Sequence, residues 1–255
     1  MALQLSVKLT PDADETDRQA GVIQNVLAFF DERIPCGPPL GRCQVDIYLR
    51  HDYPCTQIVG DPPVYRIGLK VRAGGYPKLV YQFAHETCHV YANPRVANNW
   101  LYQTICEMAS QAALDWMAVR RGTGHCPSTF GRYLLGWLGE AHRKEGIAPL
   151  KASESELAEW MSAKRMTLSD GNKWERNAVL AELLLGRVFR RHIRSWLILP
   201  HLRKGSVVPQ RGVDGFSFPA LEEAVAGELK QTVRAAHNAL VRLVDDTAHA
   251  GDADE

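Results

Sequence analysis

Apolar and polar residues alternate in three short stretches near the start of the chain. The alternation over 3–9, 45–49 and 67–71 has a period of two and predicts three β-strands with one buried face. Between the first two strands, apolar residues recur at helical spacing from Val22 to Ile34. Thr10-Pro11-Asp12 provides an N-cap, a first-turn proline and an acidic first turn for that helix.

The pattern then becomes helical and stays so. A helix is predicted from about Pro77 to Ala92, where Asn93-Pro94 ends it, because the residue before a proline disfavours helical geometry. Asn98 or Asn99 can cap the next helix, which continues to about Arg121. Further helices are predicted near 128–144, 153–166, 173–197 and 219–247. We therefore expect an α+β fold, with a core over 1–122 that contains a small, mostly antiparallel sheet, and a helical region over 123–255.

Composition and charge narrow the class of protein. The chain has 255 residues, with 30 basic and 29 acidic, so no global charge attracts it to nucleic acid or to an anionic membrane. No apolar run reaches the roughly 20 residues of a membrane-spanning helix, and no leader is visible, so we expect a cytoplasmic protein. Its six cysteines form no C-x-x-C pair and are predicted to be mostly free thiols.

The strongest chemical signal is the H-E-x-x-H sequence His85-Glu86-Thr87-Cys88-His89, in the middle of a predicted helix. Histidines four residues apart differ by about 40° around a helix, so both imidazoles can reach one tetrahedral ion. Glu86 lies on the adjoining flank, where a general base belongs. Apolar residues occupy the opposite side of the helix. The pattern predicts a zinc site formed by His85 and His89.

A catalytic zinc usually takes three protein ligands and keeps one position open. Glu107 is the predicted third ligand, because it follows His89 by 18 residues on a helix that the 93–99 turn can fold back on the first. Gln103, Thr104 and Gln111 surround it on the same helical face. Cys88 and Cys106, each next to a predicted ligand in sequence, are expected to point away from the metal, since neighbours lie about 100° apart.

These residues resemble the gluzincin type of zinc metallopeptidase, with H-E-x-x-H on one helix and a glutamate on the next. The resemblance covers about residues 40–118 and extends to the compact cytosolic bacterial proteases of the ImmA/IrrE type. It implies a zincin-like core, Zn²⁺ as cofactor, His85, His89 and Glu107 as ligands, Glu86 as general base, and hydrolysis of peptide bonds. One position departs from the family, since Gln111 stands where many gluzincins have an aspartate that orients a histidine.

Substrate contacts are less strongly indicated. If the strand Val64–Val71 is a sheet edge, it can pair with an extended peptide, and Lys70 and Arg72 near its end suggest acidic residues in that peptide. Spacing alone does not select the residue that stabilises the oxyanion. The candidates are His125, Tyr133, His192 and His201.

A basic segment supports a competing interpretation. Nine basic residues lie between Lys173 and Arg211, against two acidic ones, and Arg187, Arg190, Arg191 and Arg194 share a helical face. Such a face can bind phosphate groups or simply be solvated, and we favour the second because acidic residues elsewhere can lie beside it. The alternative function is therefore a zincin-like protein with latent or no hydrolytic activity, which uses zinc for structure and the basic segment for interactions with nucleic acid or protein.

Overall fold

Helices dominate the computed structural model, which places the chain in the α+β class with one small mixed sheet. The structure describes residues 4–37, 44–60, 64–92, 100–120, 127–164, 173–190, 193–207, 215–216 and 218–245. Contacts divide the chain into two compact units, unit 1 with residues 1–96 and 109–136, and unit 2 with residues 97–108 and 137–255. The division into a core over 1–122 and a helical region over 123–255 stays a prediction.

Unit 1 contains a four-stranded sheet with the order β1-β2-β4-β3. Its strands are β1 (Gln4–Lys8), β2 (Gln44–Leu49), β3 (Cys55–Val59) and β4 (Val64–Leu69). The pairs β1–β2 and β2–β4 are parallel and only β3–β4 is antiparallel, so the expectation of a mostly antiparallel sheet is wrong. The reason is α1 (Ala13–Arg33), which carries the chain back across the sheet so that β2 starts at the same end as β1.

The edge of the sheet also differs from the expectation. β4 lies between β2 and β3, so the segment beginning at Val64 is a central strand, and the interpretation of Val64–Val71 as an edge is wrong. Tyr65, Ile67 and Leu69 of β4 are buried. The edge strands are β1 and β3. The residues of β3 are only half-buried or exposed, so its alternation is too weak to predict it from sequence.

The first turn of α1 fixes the loop that leads to the next helix. Asp12, two residues later than the predicted cap, is the N-cap of α1, and its side chain accepts from the Glu15 N–H. The Glu15 carboxylate in turn accepts from the Gly74 N–H at 2.9 Å and from the Tyr76 hydroxyl at 2.9 Å. Gly74 has φ +71°, a conformation that favours glycine. This contact ties the loop between β4 and the following helix to α1.

Helices α2 (Tyr76–Ala92) and α3 (Trp100–Arg120) begin and end within two residues of the predicted positions. α2 packs on β3 and β4 and against α1. Its inward face includes Val80 and Phe83, both fully buried, and the Tyr91 ring stacks on Phe30 of α1 with centroids 5.0 Å apart. These contacts hold α2, which carries the H-E-x-x-H sequence, firmly in the core of unit 1.

The described residues of unit 2 are helical apart from one short antiparallel strand pair. It includes the second half of α4 (Pro127–Glu145), whose first half belongs to unit 1, and then α5 (Glu154–Lys164) and α6 (Trp174–Leu184). α6 continues into a π-helical turn, Leu185–Phe189, and a 3-10 helix follows over Ile193–Gly205. The single α-helix predicted over 173–197 is therefore wrong. The π-helical turn is marked by the bond from the Arg190 N–H to the Leu185 carbonyl, and Pro200, which lacks an N–H, lies within the 3-10 helix.

The chain of unit 2 then forms β5 (Ser206–Val207) and β6 (Gly215–Phe216), α7 (Phe218–Ala224) and α8 (Glu228–Asp245). The single helix predicted over 219–247 is wrong, because Gly227 adopts φ +50° and interrupts it. Cys36, Cys55, Cys88 and Cys106 form no disulfide, as predicted for them. In the described part of the chain, no helix has the length and apolar character needed to cross a membrane.

Candidate metal centre

His85 and His89 lie one turn apart on α2, on the side away from its apolar core contacts. Their ring centroids are 5.1 Å apart and both residues are half-buried. Because α2 is anchored by fully buried residues such as Val80 and Phe83, the two imidazoles project from a rigid support. The pair of side chains that the sequence pattern predicted is therefore available on one helical face.

One hydrogen bond shows the register of α3 along α2. The Ser110 hydroxyl donates to the Tyr81 carbonyl at 2.9 Å. His85 is one turn after Tyr81, and Cys106 is one turn before Ser110, so antiparallel helices bring these two residues to the same level. The Cys106 sulfur and the nearest ring nitrogens of His85 and His89 indeed all lie within 4.8 Å of one another.

This group of two imidazoles and one thiol could hold a metal ion. Nitrogen and sulfur are the donors that zinc prefers, and three protein ligands with a fourth position open is the arrangement of catalytic zinc sites. Cys106 is fully buried, whereas the histidines are half-buried, so the group is reached from the histidine side. The residues present therefore fit a zinc ion.

The expectation that Cys106 points away from the metal site is wrong. Relative to Ser110, Cys106 lies about 40° to one side of the helix and Glu107 about 60° to the other, so both flank the face that meets α2. The structure turns the thiol toward the histidines. Glu107 is also buried, 2% exposed, and its Oε1 accepts from the Trp137 indole N–H at 2.9 Å. Its role as a zinc ligand stays a prediction.

Glu86 lies beneath edge strand β3. The residue is 4% exposed, and its Oε2 accepts from the Thr56 hydroxyl at 2.7 Å, which is also 3.1 Å from the Glu86 carbonyl oxygen. Burial raises the pKa of Glu86 to about 7, and the Thr56 hydroxyl opposes that rise. A carboxyl group with a pKa near neutrality can both accept and donate a proton under physiological conditions.

Burial raises the pKa of Glu86 but has the opposite effect on His89, one turn further along α2. It lowers the pKa of His89 well below its usual value, and the nearby His85 adds to that effect because two imidazolium ions would repel each other. Both effects favour the neutral form of His89. A neutral imidazole has the free electron pair that metal coordination requires.

The remaining residues singled out from the sequence have varied positions. Gln111 and Thr104 are buried, and the Thr104 hydroxyl contacts the Asn177 side-chain oxygen at 3.4 Å. Tyr133 is the oxyanion candidate that reaches α2, since its ring lies 6.4 Å from that of Tyr81. His201 lies in the 3-10 helix of unit 2. His125 and His192 are outside the described residues.

Acidic side chains lie beside part of the basic segment. An Arg187 nitrogen is 3.8 Å from a Glu154 oxygen, and Arg194 pairs with Glu228 at 2.6 Å. Arg191 is outside the described residues.

Comparisons of the chain with protein-family models, with curated proteins and with solved structures gave no match.

Proposed function

We propose that this chain is a zinc-dependent metallopeptidase with a zincin-like core. The observation that carries the proposal is the convergence of His85, His89 and the Cys106 thiol next to Glu86 on an H-E-x-x-H helix. His85 and His89 would hold the ion. Cys106 is the third ligand that the geometry favours, and Glu107, the ligand implied by the family resemblance, is the alternative.

The chain supplies a proton acceptor next to this donor set. A bound zinc ion would polarise the scissile carbonyl and acidify the attacking water. Glu86 takes the proton of the attacking water and later delivers it to the leaving amine, which are the two tasks of a general base and acid. Thr56 keeps the carboxylate oriented through its 2.7 Å hydrogen bond.

The position of β3 supports a peptide substrate rather than a small molecule. β3 is paired with β4 on one side only, so among the described strands its other side is not occupied. An extended peptide that pairs with this edge by main-chain hydrogen bonds would pass close to Glu86, since Thr56 of β3 contacts that residue. Tyr133, near Tyr81 on α2, is the candidate for stabilising the oxyanion.

The test combines metal content with one conservative variant. Elemental analysis of the full chain should give one zinc per molecule, and a library of unstructured peptides should be cleaved. Glu86→Gln keeps shape and zinc but cannot take up a proton, so cleavage should fall by about 10²–10⁴-fold. Glu159→Gln, which changes an exposed carboxylate on α5, is the matched control and should cleave like the parent. Cleavage by Glu86→Gln at the parental rate would refute the mechanism.

One observation favours a second candidate function. Glu86 is 4% exposed and hydrogen bonded, which also suits a structural carboxylate in a protein whose hydrolysis is latent or absent. In that case the parent binds zinc, cleaves no peptide in the library, and loses stability on chelation. Nucleic-acid binding by the basic segment is not favoured, because Glu154 and Glu228 lie beside Arg187 and Arg194.

A further inference from the structure

A cavity of about 800 Å³ opens at the carboxyl ends of the parallel strands β1, β2 and β4. Its apolar wall includes Leu9, Leu49 and Val71, which follow or end those strands. The carboxyl ends of parallel strands are a preferred place for ligands in sheets with helical crossovers, and the volume suits a small molecule. The cavity lies within unit 1.

Cationic side chains line the same cavity. Lys70, Arg72 and Lys78 are exposed at its rim, and no residue among its described lining is acidic. In the part of the chain that the structure describes, these three side chains pair with no carboxylate, so their charges are not neutralised locally. Two acids lie close to the lining: Asp52 is bound to Arg50 by two hydrogen bonds of 2.6 and 2.5 Å, and Asp17 lines the adjoining pocket that shares Leu9 and Leu49.

Arg50 also belongs to the lining, with its guanidinium paired to Asp52, and the fold makes room for its side chain. A side-chain carbon at Gly68 would lie 2.5 Å from the Arg50 Cδ and 2.8 Å from its Cγ, so only glycine at this position of β4 lets the arginine cross the strand. The Arg50 N–H also donates to the Leu69 carbonyl at 2.7 Å. The backbone of Arg50 is therefore held against β4, whereas its guanidinium is held by Asp52.

Helix α2 begins at Tyr76, beside the cavity, and adds positive potential there. The first turn of α2 has no acidic residue and contains Lys78. The N-terminus of a helix carries a partial positive charge, which favours anions within the first turn. The Glu15 carboxylate accepts hydrogen bonds from Gly74 and Tyr76 at the start of α2 and so offsets part of this potential, which leaves Lys70, Arg72 and Lys78 as the main positive charges of the cavity.

We propose that this cavity binds the phosphate group of a small ligand, at a site separate from the metal centre. A ligand with a single carboxylate would carry too little negative charge to balance several cations around one concave surface. A phosphate offers two charges and several acceptor oxygens. Lys78 and His85 are seven residues apart on α2, or about 10 Å along its axis. The inference goes beyond the proposed peptidase and does not depend on it.

Calorimetric titration of the full chain, after metal removal by chelation, tests the site with inorganic phosphate, pyrophosphate and ATP as probes. Removing metal, and repeating the titration with His85→Ala, excludes phosphate binding to a zinc ion. Pyrophosphate should bind once per chain, and Lys70→Gln or Arg72→Gln should each weaken its binding about five-fold, since each removes one charge-assisted contact. Lys151→Gln, at an exposed lysine of unit 2, is the control and should bind like the parent.

Comparison of the three probes identifies the source of the phosphate. If phosphate binds most tightly, the ligand is the free anion. If pyrophosphate binds most tightly, the ligand carries a diphosphate group, and if ATP does, it is a nucleotide. Each of these outcomes supports the site. Three results would overturn the inference. They are the absence of saturable binding by all three probes, unchanged affinity in both Lys70→Gln and Arg72→Gln, and binding of an acidic peptide such as pentaglutamate at these cations while pyrophosphate does not bind.

Discussion

Replacement of Glu15 should test how the loop before the metal-binding helix is held. The Glu15 carboxylate is 5% exposed and accepts from the Gly74 N–H, the Tyr76 hydroxyl, the Arg18 guanidinium and the Gln19 amide at 2.9–3.1 Å. It therefore joins α1 to the loop from β4 to α2. Replacing Glu15 removes the acceptor of hydrogen bonds that join segments about 60 residues apart in sequence.

The hydrogen bonds set the size of the effect. Arg18 is 56% exposed, so its ion pair contributes little. The bonds from Gly74 and Tyr76 to a charged acceptor are the main terms, and Glu15→Ala leaves both donors without that acceptor. We expect Glu15→Ala to lower the free energy of unfolding by about 2–3 kcal/mol, and Glu15→Gln, which keeps one oxygen, by about 1–2 kcal/mol.

The same contacts predict a dependence on pH. Hydrogen bonding from the Gly74 N–H, then from Tyr76 and Arg18, holds the pKa of Glu15 below its usual value of 4.5, although burial opposes this. A lowered folded-state pKa means that the stabilisation is complete above the unfolded-state pKa and is lost as pH falls through the folded-state value. The difference in stability between the parent and Glu15→Gln should therefore be full at neutral pH and shrink in acid.

Urea unfolding followed by circular dichroism, at neutral pH and at a pH below the lowered pKa, measures this difference. Hydrogen exchange of the Gly74 amide reports the same contact locally. Asp17→Asn changes an exposed acid on the same helix and should leave both measurements unchanged. Glu15→Ala as stable as the parent, or a difference between parent and Glu15→Gln that does not change with pH, would refute the reasoning.

Three further predictions concern individual contacts. With Co²⁺ in place of zinc, the parent should show a near-ultraviolet absorption band from thiolate-to-cobalt charge transfer. Glu107→Gln should keep this band and Cys106→Ser should lack it. A parent without the band would rule out the thiol as a ligand. Gly68→Ala should displace Arg50 and lower the free energy of unfolding by about 1–2 kcal/mol, which thermal unfolding can measure, and an unchanged melting temperature would contradict the close approach. Ser110→Ala should cost about 1 kcal/mol, measured by urea unfolding, because the Tyr81 carbonyl loses its donor, and full stability would show that this bond does not hold α3.

Periodicity was sufficient for the long elements of this protein. α1, α2, α3 and α4 follow from apolar residues at helical spacing, because a helix with one buried face imposes that spacing locally. It failed where the local signal is weak. β3 is a half-exposed edge strand, and the interruption at Gly227 depends on one backbone conformation inside an otherwise helical pattern.

Strand direction could not be predicted from the strands themselves. Alternation marks which residues of β1, β2 and β4 face the core, and it is the same in parallel and antiparallel sheets. The direction depends on how α1 crosses the sheet and on β3 taking the outer position, both of which are packing decisions between segments far apart in sequence. A mixed sheet resulted where an antiparallel one was expected.

The sequence by itself predicted one helix that carries His85, Glu86 and His89. Once that helix is given, the spacing of the three positions fixes the angles of their side chains around the helix axis. The group that joins the histidines was decided only by the tertiary structure. Cys106 and Glu107 are neighbours on α3 and lie on either side of the face that meets α2, so the rotation of the helix about its axis decides which of them faces the histidines. That rotation depends on how α3 packs, including the Ser110–Tyr81 hydrogen bond, which spacing cannot specify, and it turns the thiol toward the histidines.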